Sequence, residues 1–196
     1  MATLTDQDLD IIFRAARSHS HWQNKPVTRE LLQQVYELAK WGATAANSCP
    51  ARFLFIQSPE AKEKLKPCLD GGNVDKSMSA PVVAVIAQDM EFYENMPKLF
   101  PHNPGAINWY KGNDTLIQTT AFRNSSLQGA YLMIAARALG LDCGPMSGFN
   151  NAKLDETFFA GTSWKSNFIC ALGYGDATKL FPRGPRLAFS EACKVA

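Results

Sequence analysis

The chain has 196 residues and a mass of 21.6 kDa, enough for one domain with a sizeable core. Its 20 basic and 18 acidic residues give a formal net charge of +2, which argues against a nucleic-acid partner, and its 46% hydrophobic content excludes a disordered chain. The longest apolar run, 80–87, is far shorter than the roughly 20 residues of a membrane span. The five cysteines are scattered and form no CxxC pair, which argues against a disulfide framework and favours the reducing cytoplasm as the location.

The first two predicted elements of the chain are helices, and a third, shorter helix is predicted after them. The first begins with Thr5 and Asp8, which have the spacing of a capping box, and apolar residues follow them at helical spacing. The second is predicted over 28–41, with an apolar stripe and a stop at Gly42. A Ser-Pro pair predicts the third helix over 58–69.

The segment 120–139 is the most helical part of the chain. From Leu127 onward it is apolar on nearly all sides, so we expect it to be buried at the centre, between the sheet and another subunit. Gly140 is the expected stop.

Three short apolar segments, 52–57, 81–88 and 167–173, are predicted strands. Because helices and strands do not alternate as in βαβ units, the predicted fold class is α+β, with a small, mostly antiparallel central sheet flanked by helices. The stretch 89–114 is rich in Pro, Asn, Gly and aromatic residues, and we expect a mobile lid or an interface loop there. The whole chain, 1–196, is expected to form a single domain.

Familiar catalytic motifs are missing from the sequence. It contains no GxxxxGK[ST] loop, no GxGxxG after a strand and no GxSxG, and its three histidines lack the spacing of zinc ligands, so no metal is expected. What remains is a set of four polar and basic patches, 17–22, 47–50, 73–76 and 183–186, and a glycine-rich turn over 144–149.

Each patch alone has an ordinary structural explanation. Arg17 could complement a helix C-terminus, Asn47 could satisfy its own backbone, and the other basic residues could be solvated surface charges. Together, guanidinium groups with small amide and hydroxyl side chains suit an anionic, polyhydroxylated ligand, because arginine binds phosphate through two parallel hydrogen bonds. Glycines would let backbone N–H groups approach a ring closely.

Longer segments resemble a known family. The sequences WGATAANSCPARF, FPHNPGAINW, TAFRNSSLQGAYLMIAARALGLDCGPMSGF, SNFICALGYGD and LFPRGPRLAF are similar to the FMN-dependent nitroreductase family, and more narrowly to its HadB/RutE branch. The resemblance extends from about Leu9 to Cys193, and the block that ends in GPMSGF is its most specific part. It implies a nitroreductase-like fold, an intertwined homodimer, and FMN in a cleft between the subunits, with NAD(P)H as co-substrate.

The resemblance also implies which residues bind FMN. The implied cofactor-binding residues are Arg17, Ser18, His19, Ser20, Asn47, Asn73, Lys76, Pro145, Met146, Ser147, Gly148, Arg183 and Arg186. Arg17 and the two C-terminal arginines would hold the phosphate, and Asn47 would reach the flavin of the partner subunit. Asn73 and Lys76 would bind the pyrimidine edge, and 145–148 would run along the ring near N5.

Some positions depart from the family pattern. Cys49 and Ala51 stand where broader nitroreductases carry Gln and an aromatic residue, and Ser147 replaces a common acidic residue. These changes favour a small acid over a bulky nitroaromatic substrate; for Cys49 both a packing role and a redox role remain open. Arg183 and Arg186 are three positions apart instead of two, and this spacing leaves open whether both reach the phosphate.

The HadB/RutE branch implies reduction of malonic semialdehyde to 3-hydroxypropanoate in pyrimidine degradation. Hydride would pass in ping-pong fashion through flavin N5, with no catalytic side chain, and a cation near N1 would stabilise the reduced flavin. Arg123, Arg52 and Lys111 are candidates, by residue type only, for the cation that binds the substrate carboxylate. The alternatives are a broad nitro or quinone reductase with the same cofactor, and a flavin carrier without turnover.

Overall fold

A four-stranded antiparallel sheet lies at the centre of a computed structural model that describes residues 3–196; residues 1 and 2 of the expected domain lie outside the described residues. The strands are β1 (Ala51–Ile56), β2 (Val82–Asp89), β3 (Asp142–Met146) and β4 (Trp164–Gly173), in the spatial order β1-β2-β4-β3. All three pairings are antiparallel, so the predicted fold class is confirmed. β2 is buried at every position, as its continuous apolar run predicts.

Helices pack on both faces of this sheet. The α-helices of the described residues are α1 (Asp6–Leu9), α2 (Arg29–Ala39), α3 (Pro59–Leu65), α4 (Gly71–Ser79), α5 (Met96–Leu99), α6 (Asp114–Ala138), α7 (Asn151–Phe159) and α8 (Phe189–Ala192). Of these, α2 and α6 pack on one face of the sheet, and α3 and α7 pack on the other. α1 continues as a π-helical turn over Asp10–Arg14. The predicted caps at Thr5 and Ser58 are confirmed, because each side chain accepts a hydrogen bond from a backbone N–H in the first turn, and Thr28 caps α2 in the same way. No helix of the described residues is long and apolar enough to cross a bilayer.

Four helices, α4, α5, α7 and α8, and one strand, β3, were not predicted. α4 begins with Gly-Gly, which disfavours helix, and the sequence analysis placed only the polar patch 73–76 in this region. α7 begins after Asn150, whose side chain caps it. The predicted turn 144–149 was wrong for its first half, because β3 includes Pro145 and Met146 and pairs with β4 along its whole length. Pro145 is tolerated there because β3 is an edge strand.

The predicted stops at two glycines have different outcomes. Gly140 has a φ of +79°, the left-handed conformation of a helix stop, and α6 ends two residues before it. The stop at Gly42 was wrong, because α2 already ends at Ala39. A Cβ at Gly42 would lie 2.1 Å from the Tyr131 ring, so this glycine instead lets the chain after α2 lie against α6.

The segment 89–114 contains helical elements that were not predicted, and the mobile lid expected there stays a prediction. It forms α5 and two 3₁₀ segments, Phe92–Asn95 and Pro104–Trp109. Its Phe92 and Tyr110 rings meet edge to face at 4.9 Å in a small core shared with α6, and burial there raises the pKa of Tyr110. An interface role for this segment stays a prediction.

α6 packs on the sheet with only part of its surface. Its Leu132 and Ala136 are fully buried against the β2 side chains that face it, and a Cβ at Gly129 would lie 2.5 Å from Phe168. On its other side Phe122 is 56% exposed, and Leu127 is exposed as well. The central position that the sequence predicts for this helix is therefore confirmed for one of its faces.

Candidate functional site

Four arginines line one small cavity at the end of α6. Arg17, Arg137, Arg183 and Arg186 surround a volume of about 280 Å³, and no acidic side chain is among the described residues that line it. Like charges gathered without a counter-ion repel one another, so the cavity is suited to an anion with several oxygens.

Backbone carbonyls, not carboxylates, hold these guanidinium groups in place. Arg17 donates to the carbonyl of Phe181, and Arg183 donates to the carbonyl of Ala16 over 2.8 Å, so the C-terminal segment is joined to the end of the first helical segment. Arg137 donates to the Ile12 carbonyl over 3.3 Å. Since carbonyls carry no full charge, the positive charge of the cavity is not neutralised.

Arg137 is the member of this group that the sequence analysis missed. Its Nε is buried and has no hydrogen-bonding partner among the described residues. Buried donors are rarely left unpaired, so this atom is a further indication of a ligand. The available signal was an arginine near the end of the apolar half of α6, which is easily interpreted as a complement to the helix dipole.

The segment after Arg17 runs beside the edge strand β3. Ser18 forms a parallel bridge with Cys143, and the His19 N–H donates to the Cys143 carbonyl over 2.9 Å. A Cβ at Gly144 would lie 2.3 Å from the His19 carbonyl oxygen, so only glycine allows this approach. Ser20 is half-buried and does not line the arginine cavity.

The His19 side chain points into the fold. It is 7% exposed, its Nε2 lies 3.4 Å from Asp142 Oδ1, and its Nδ1 has no hydrogen-bonding partner among residues 3–196. A Cβ at Gly175 would lie 2.0 Å from that Nδ1, so the imidazole packs directly on the Gly175 backbone. Any contact of His19 with a ligand would therefore come from its backbone.

The two predicted polar residues of α4 lie beside the turn after β3. Asn73 donates through Nδ2 to the Gly148 carbonyl over 2.9 Å, and Lys76 Nζ donates to Asn73 Oδ1 over 3.4 Å. A Cβ at Gly148 would lie 2.6 Å from Asn73 Nδ2, so this glycine is required for the contact. Trp22 Nε1 donates to the Lys76 carbonyl over 3.0 Å, which joins α4 to the 17–22 segment.

The exposed and half-buried residues at the end of β3 and in the turn after it complete this surface. Pro145 and Ser147 are exposed, and Met146 is half-buried with its Sδ 4.0 Å from Ser77 Oγ. The structure thus brings the predicted residues of the N-terminal, α4, β3 and C-terminal patches to one edge of the sheet.

Asn47 lies apart from this group. It precedes β1, the opposite edge strand, and three strand spacings correspond to about 14 Å. Its Nδ2 donates to the Leu99 carbonyl over 2.8 Å. Ala46, Asn47 and Cys49 all have positive φ (49°, 49° and 41°), which is strained for residues with a Cβ and is typical of functional loops.

Cys49 makes contacts that a serine could reproduce. Its N–H donates to Thr44 Oγ1 over 3.2 Å, and its Sγ lies 3.4 Å from Asn47 Oδ1.

We expect Cys49→Ser to retain NADPH oxidation within about twofold, because a change without lost contacts costs at most about 0.5 kcal/mol. Steady-state absorbance at the NADPH band checks this; a loss beyond tenfold in a folded variant would indicate a redox role.

The three candidate cations for a substrate carboxylate differ in what they contact. Arg52 Nη2 lies 2.6 Å from Asp89 Oδ2, and Lys111 Nζ lies 3.5 Å from Glu94 Oε1, so both are already paired. Arg123 has no ion-pair or hydrogen-bonding partner among the described residues and lines a separate cavity. The structure therefore leaves Arg123 as the available cation of the three.

The Arg52–Asp89 pair should stabilise the fold. Asp89 has a side chain only 8% exposed, and it also accepts hydrogen bonds from Ser163 Oγ and the Glu91 N–H. We expect Arg52→Met to lower the free energy of unfolding by about 1–2 kcal/mol, because it removes the cation from a buried carboxylate. Urea unfolding checks this, with Lys165→Met as a control, since the Lys165–Asp155 contact is longer, 3.9 Å, and more exposed.

Comparisons with known proteins show which family the chain resembles. The model of the Nitroreductase family matches residues 13–174. A protein of Burkholderia lata, provisionally named an NADH dehydrogenase/NAD(P)H nitroreductase, is 57% identical over 195 residues that cover 100% of both chains. A Ralstonia pickettii protein with the same provisional name and the designation HadB is 53% identical over 190 residues, covering 96% of this chain and 97% of its own.

A solved structure shares the fold. It is provisionally named a nitroreductase, in complex with FMN, from Exiguobacterium sibiricum, and it superposes with a TM-score of 0.86 at 21% identity, covering 100% of this chain and 99% of the other.

Within residues 3–196, no group of three or more His, Cys, Asp or Glu side chains could hold a metal ion.

Proposed function

Because the chain belongs to the nitroreductase family, we propose that it is an FMN-dependent NAD(P)H oxidoreductase that reduces malonic semialdehyde to 3-hydroxypropanoate. The cofactor assignment rests on one observation above all, the cavity lined by four arginines without an acidic residue. The relatives that carry an NAD(P)H nitroreductase name, HadB among them, support the reaction class.

The residues of the arginine cavity fit the phosphate of FMN. A phosphate oxygen accepts charge-assisted hydrogen bonds, and the unpaired Nε of Arg137 would gain a partner there. Both Arg183 and Arg186 line the cavity, so their unusual spacing is compatible with a shared role. We therefore add Arg137 to the proposed phosphate-binding residues.

The α4 side chains fit the flavin ring. Asn73 and Lys76 would donate to the pyrimidine edge, next to the Gly148 turn and the exposed residues before it. When bound, FMN supplies the hydride chemistry between NAD(P)H and substrate. The chain contributes the anchor, the orientation and, through Lys76, a positive charge on the side of the ring where negative charge develops.

A homodimer is part of the proposal. Asn47 lies on the opposite edge of the sheet from the other proposed ligands, so it would reach a flavin held by a second copy. The exposed apolar side chains on α6, Phe122, Leu127 and Tyr131, give that second copy a surface to bury. A molar mass from light scattering that is twice the chain mass of 21.6 kDa would support this part of the proposal.

The substrate assignment depends on small side chains and on sequence similarity. Cys49 and Ala51 leave room for a short aldehyde acid, and exposed Ser147 adds no negative charge that would repel its carboxylate. We also keep as proposals the single domain over 1–196, a cytoplasmic location and a role in pyrimidine degradation.

A general nitro or quinone reductase is the second candidate, because the relatives are named NAD(P)H nitroreductases. Side-by-side turnover with NADPH separates the two functions. A larger kcat/KM for malonic semialdehyde than for a nitroaromatic and a quinone is the expected result. A much larger kcat/KM for the nitroaromatic would support the second candidate instead.

A further inference from the structure

A second polar cavity lies between the end of β2 and α6. Its volume is about 620 Å³, and its lining residues are Gln88, Gln118, Thr119, Phe122, Arg123 and Ser126. We propose that it binds the carboxylate of a short aldehyde or hydroxy acid, with Arg123 as the residue that selects for the negative charge.

Arg123 is the cation in this cavity. It is exposed and makes no ion pair or hydrogen bond with any part of the chain that the structure describes. The guanidinium group therefore keeps all its donors for a ligand, and its planar fork matches the two oxygens of a carboxylate. No Asp or Glu is among the described residues that line the cavity.

Gln88 gives independent evidence for a polar ligand. It is only 8% exposed, and its Oε1 is buried without a hydrogen-bonding partner among residues 3–196. A buried amide without a partner costs free energy, so the side chain is suited to a ligand that completes it. Rotating the amide by 180° exchanges the oxygen for the amino group, which would donate to a carboxylate oxygen.

The remaining lining residues suit a short chain. Ser126 Oγ already donates to the Phe122 carbonyl over 2.8 Å and accepts from Asn167 over 2.9 Å, so it positions the wall. The Thr119 hydroxyl makes no hydrogen bond with the described residues and could donate to a ligand. The Phe122 ring gives the methylene carbons of an acid an apolar surface.

The loop that carries Asn47 is hydrogen-bonded to α6, the helix that also lines the cavity. The Ala45 N–H donates to Asn124 Oδ1 over 2.8 Å, and the Ala51 N–H donates to Gln128 Oε1 over 2.8 Å. Asn124 follows Arg123 in α6, so the loop is attached to the same turn of the helix that carries Arg123. This step rests on the proposed function: if Asn47 reaches the flavin of a second subunit, the cavity lies at the same subunit boundary.

The test measures binding, not turnover. The FMN-loaded protein and its Arg123→Gln variant are titrated in a calorimeter with 3-hydroxypropanoate and with uncharged propane-1,3-diol. We expect the variant to bind 3-hydroxypropanoate about 10- to 100-fold more weakly, as for the loss of a charge-assisted pair, and to bind the diol as the parent does. Lys111→Gln is the matched control, because Lys111 is an exposed cation paired outside the cavity.

Several outcomes would overturn the inference. They are no measurable binding of 3-hydroxypropanoate to the parent protein, unchanged affinity in Arg123→Gln, or an equal loss in Lys111→Gln. If 3-hydroxypropanoate binds through Arg123 but malonic semialdehyde is not reduced, the proposed reaction is wrong and the carboxylate site stands. If malonic semialdehyde is reduced and Arg123→Gln changes no affinity, the site is wrong and the reaction stands.

Discussion

Replacing Gly144 with alanine is expected to lower the free energy of unfolding by about 3 kcal/mol, at the upper end of the range for overpacking. The added Cβ would lie 2.3 Å from the His19 carbonyl oxygen, and a backbone atom cannot move aside as a flexible side chain can. The 17–22 segment would have to separate from β3, with loss of the bridge between Ser18 and Cys143. Because this segment carries Arg17, we also expect weaker FMN binding.

Urea unfolding followed by circular dichroism measures the stability change. Gly72→Ala is the matched control, because Gly72 lies inside α4 and a Cβ there would meet nothing within 4 Å. It should be neutral or stabilise the protein by up to about 1 kcal/mol, since alanine favours helix. Equal stability of the Gly144→Ala and parent proteins would contradict the close packing of the 17–22 segment on β3.

Removing either of two cavity arginines should weaken FMN binding by about 10- to 100-fold, because each variant would lose the proposed charge-assisted hydrogen bond to phosphate. The variants are Arg17→Ala and Arg137→Ala, whose side chains line the cavity from two different elements. Riboflavin lacks the phosphate, so its affinity should change much less. Fluorescence quenching of each flavin on titration with apoprotein gives the ratio of the two affinities.

Arg29→Ala is the control for this series, because Arg29 is exposed at the start of α2 and does not line the cavity. It should leave the ratio of FMN to riboflavin affinity unchanged. Equal losses for FMN and riboflavin in Arg17→Ala and Arg137→Ala would mean that the arginines support the fold instead of holding phosphate. Full FMN content in Arg17→Ala would contradict the phosphate assignment outright.

Local signals in the sequence were sufficient for much of the fold. Thr5, Thr28 and Ser58 cap their helices with neighbours three residues away, so the information is contained in a short window. β2 could be predicted because a strand buried on both faces is apolar at successive positions. The conformation of Gly140 follows in the same way from its place after a long helix.

Elements stabilised by distant partners could not be predicted in this way. β3 contains proline and glycine and resembles a turn, and its strand conformation comes from pairing with β4 more than 20 residues later. α4 overcomes its Gly-Gly start by packing beside the Gly148 turn, where Asn73 donates to a carbonyl 75 positions away. The segment 89–114 folds around Phe92 and Tyr110, whose contact no local pattern records.

The candidate site likewise contains residues that the sequence indicates and residues that only the folded chain reveals. Most of its proposed residues came from resemblance to a family, and the structure brings the Arg17, Asn73 and Arg183 patches to one edge of the sheet. Arg137 was missed because a single arginine near the end of a helix has an ordinary explanation, and only the folded chain places it beside three others. Arg123 could be proposed by residue type, but its lack of a partner in the described chain is visible only in three dimensions.

The visible absorption spectrum of the purified protein tests the central claim most directly. We expect a flavin band whose intensity corresponds to about one FMN per chain. The band should bleach on anaerobic addition of NADPH and return on addition of malonic semialdehyde, with 3-hydroxypropanoate formed in an amount equal to the flavin reoxidised. A colourless protein that does not bind added FMN would contradict the account. A bound flavin that neither NADPH nor NADH bleaches would contradict it equally, because the protein would then be a carrier without turnover.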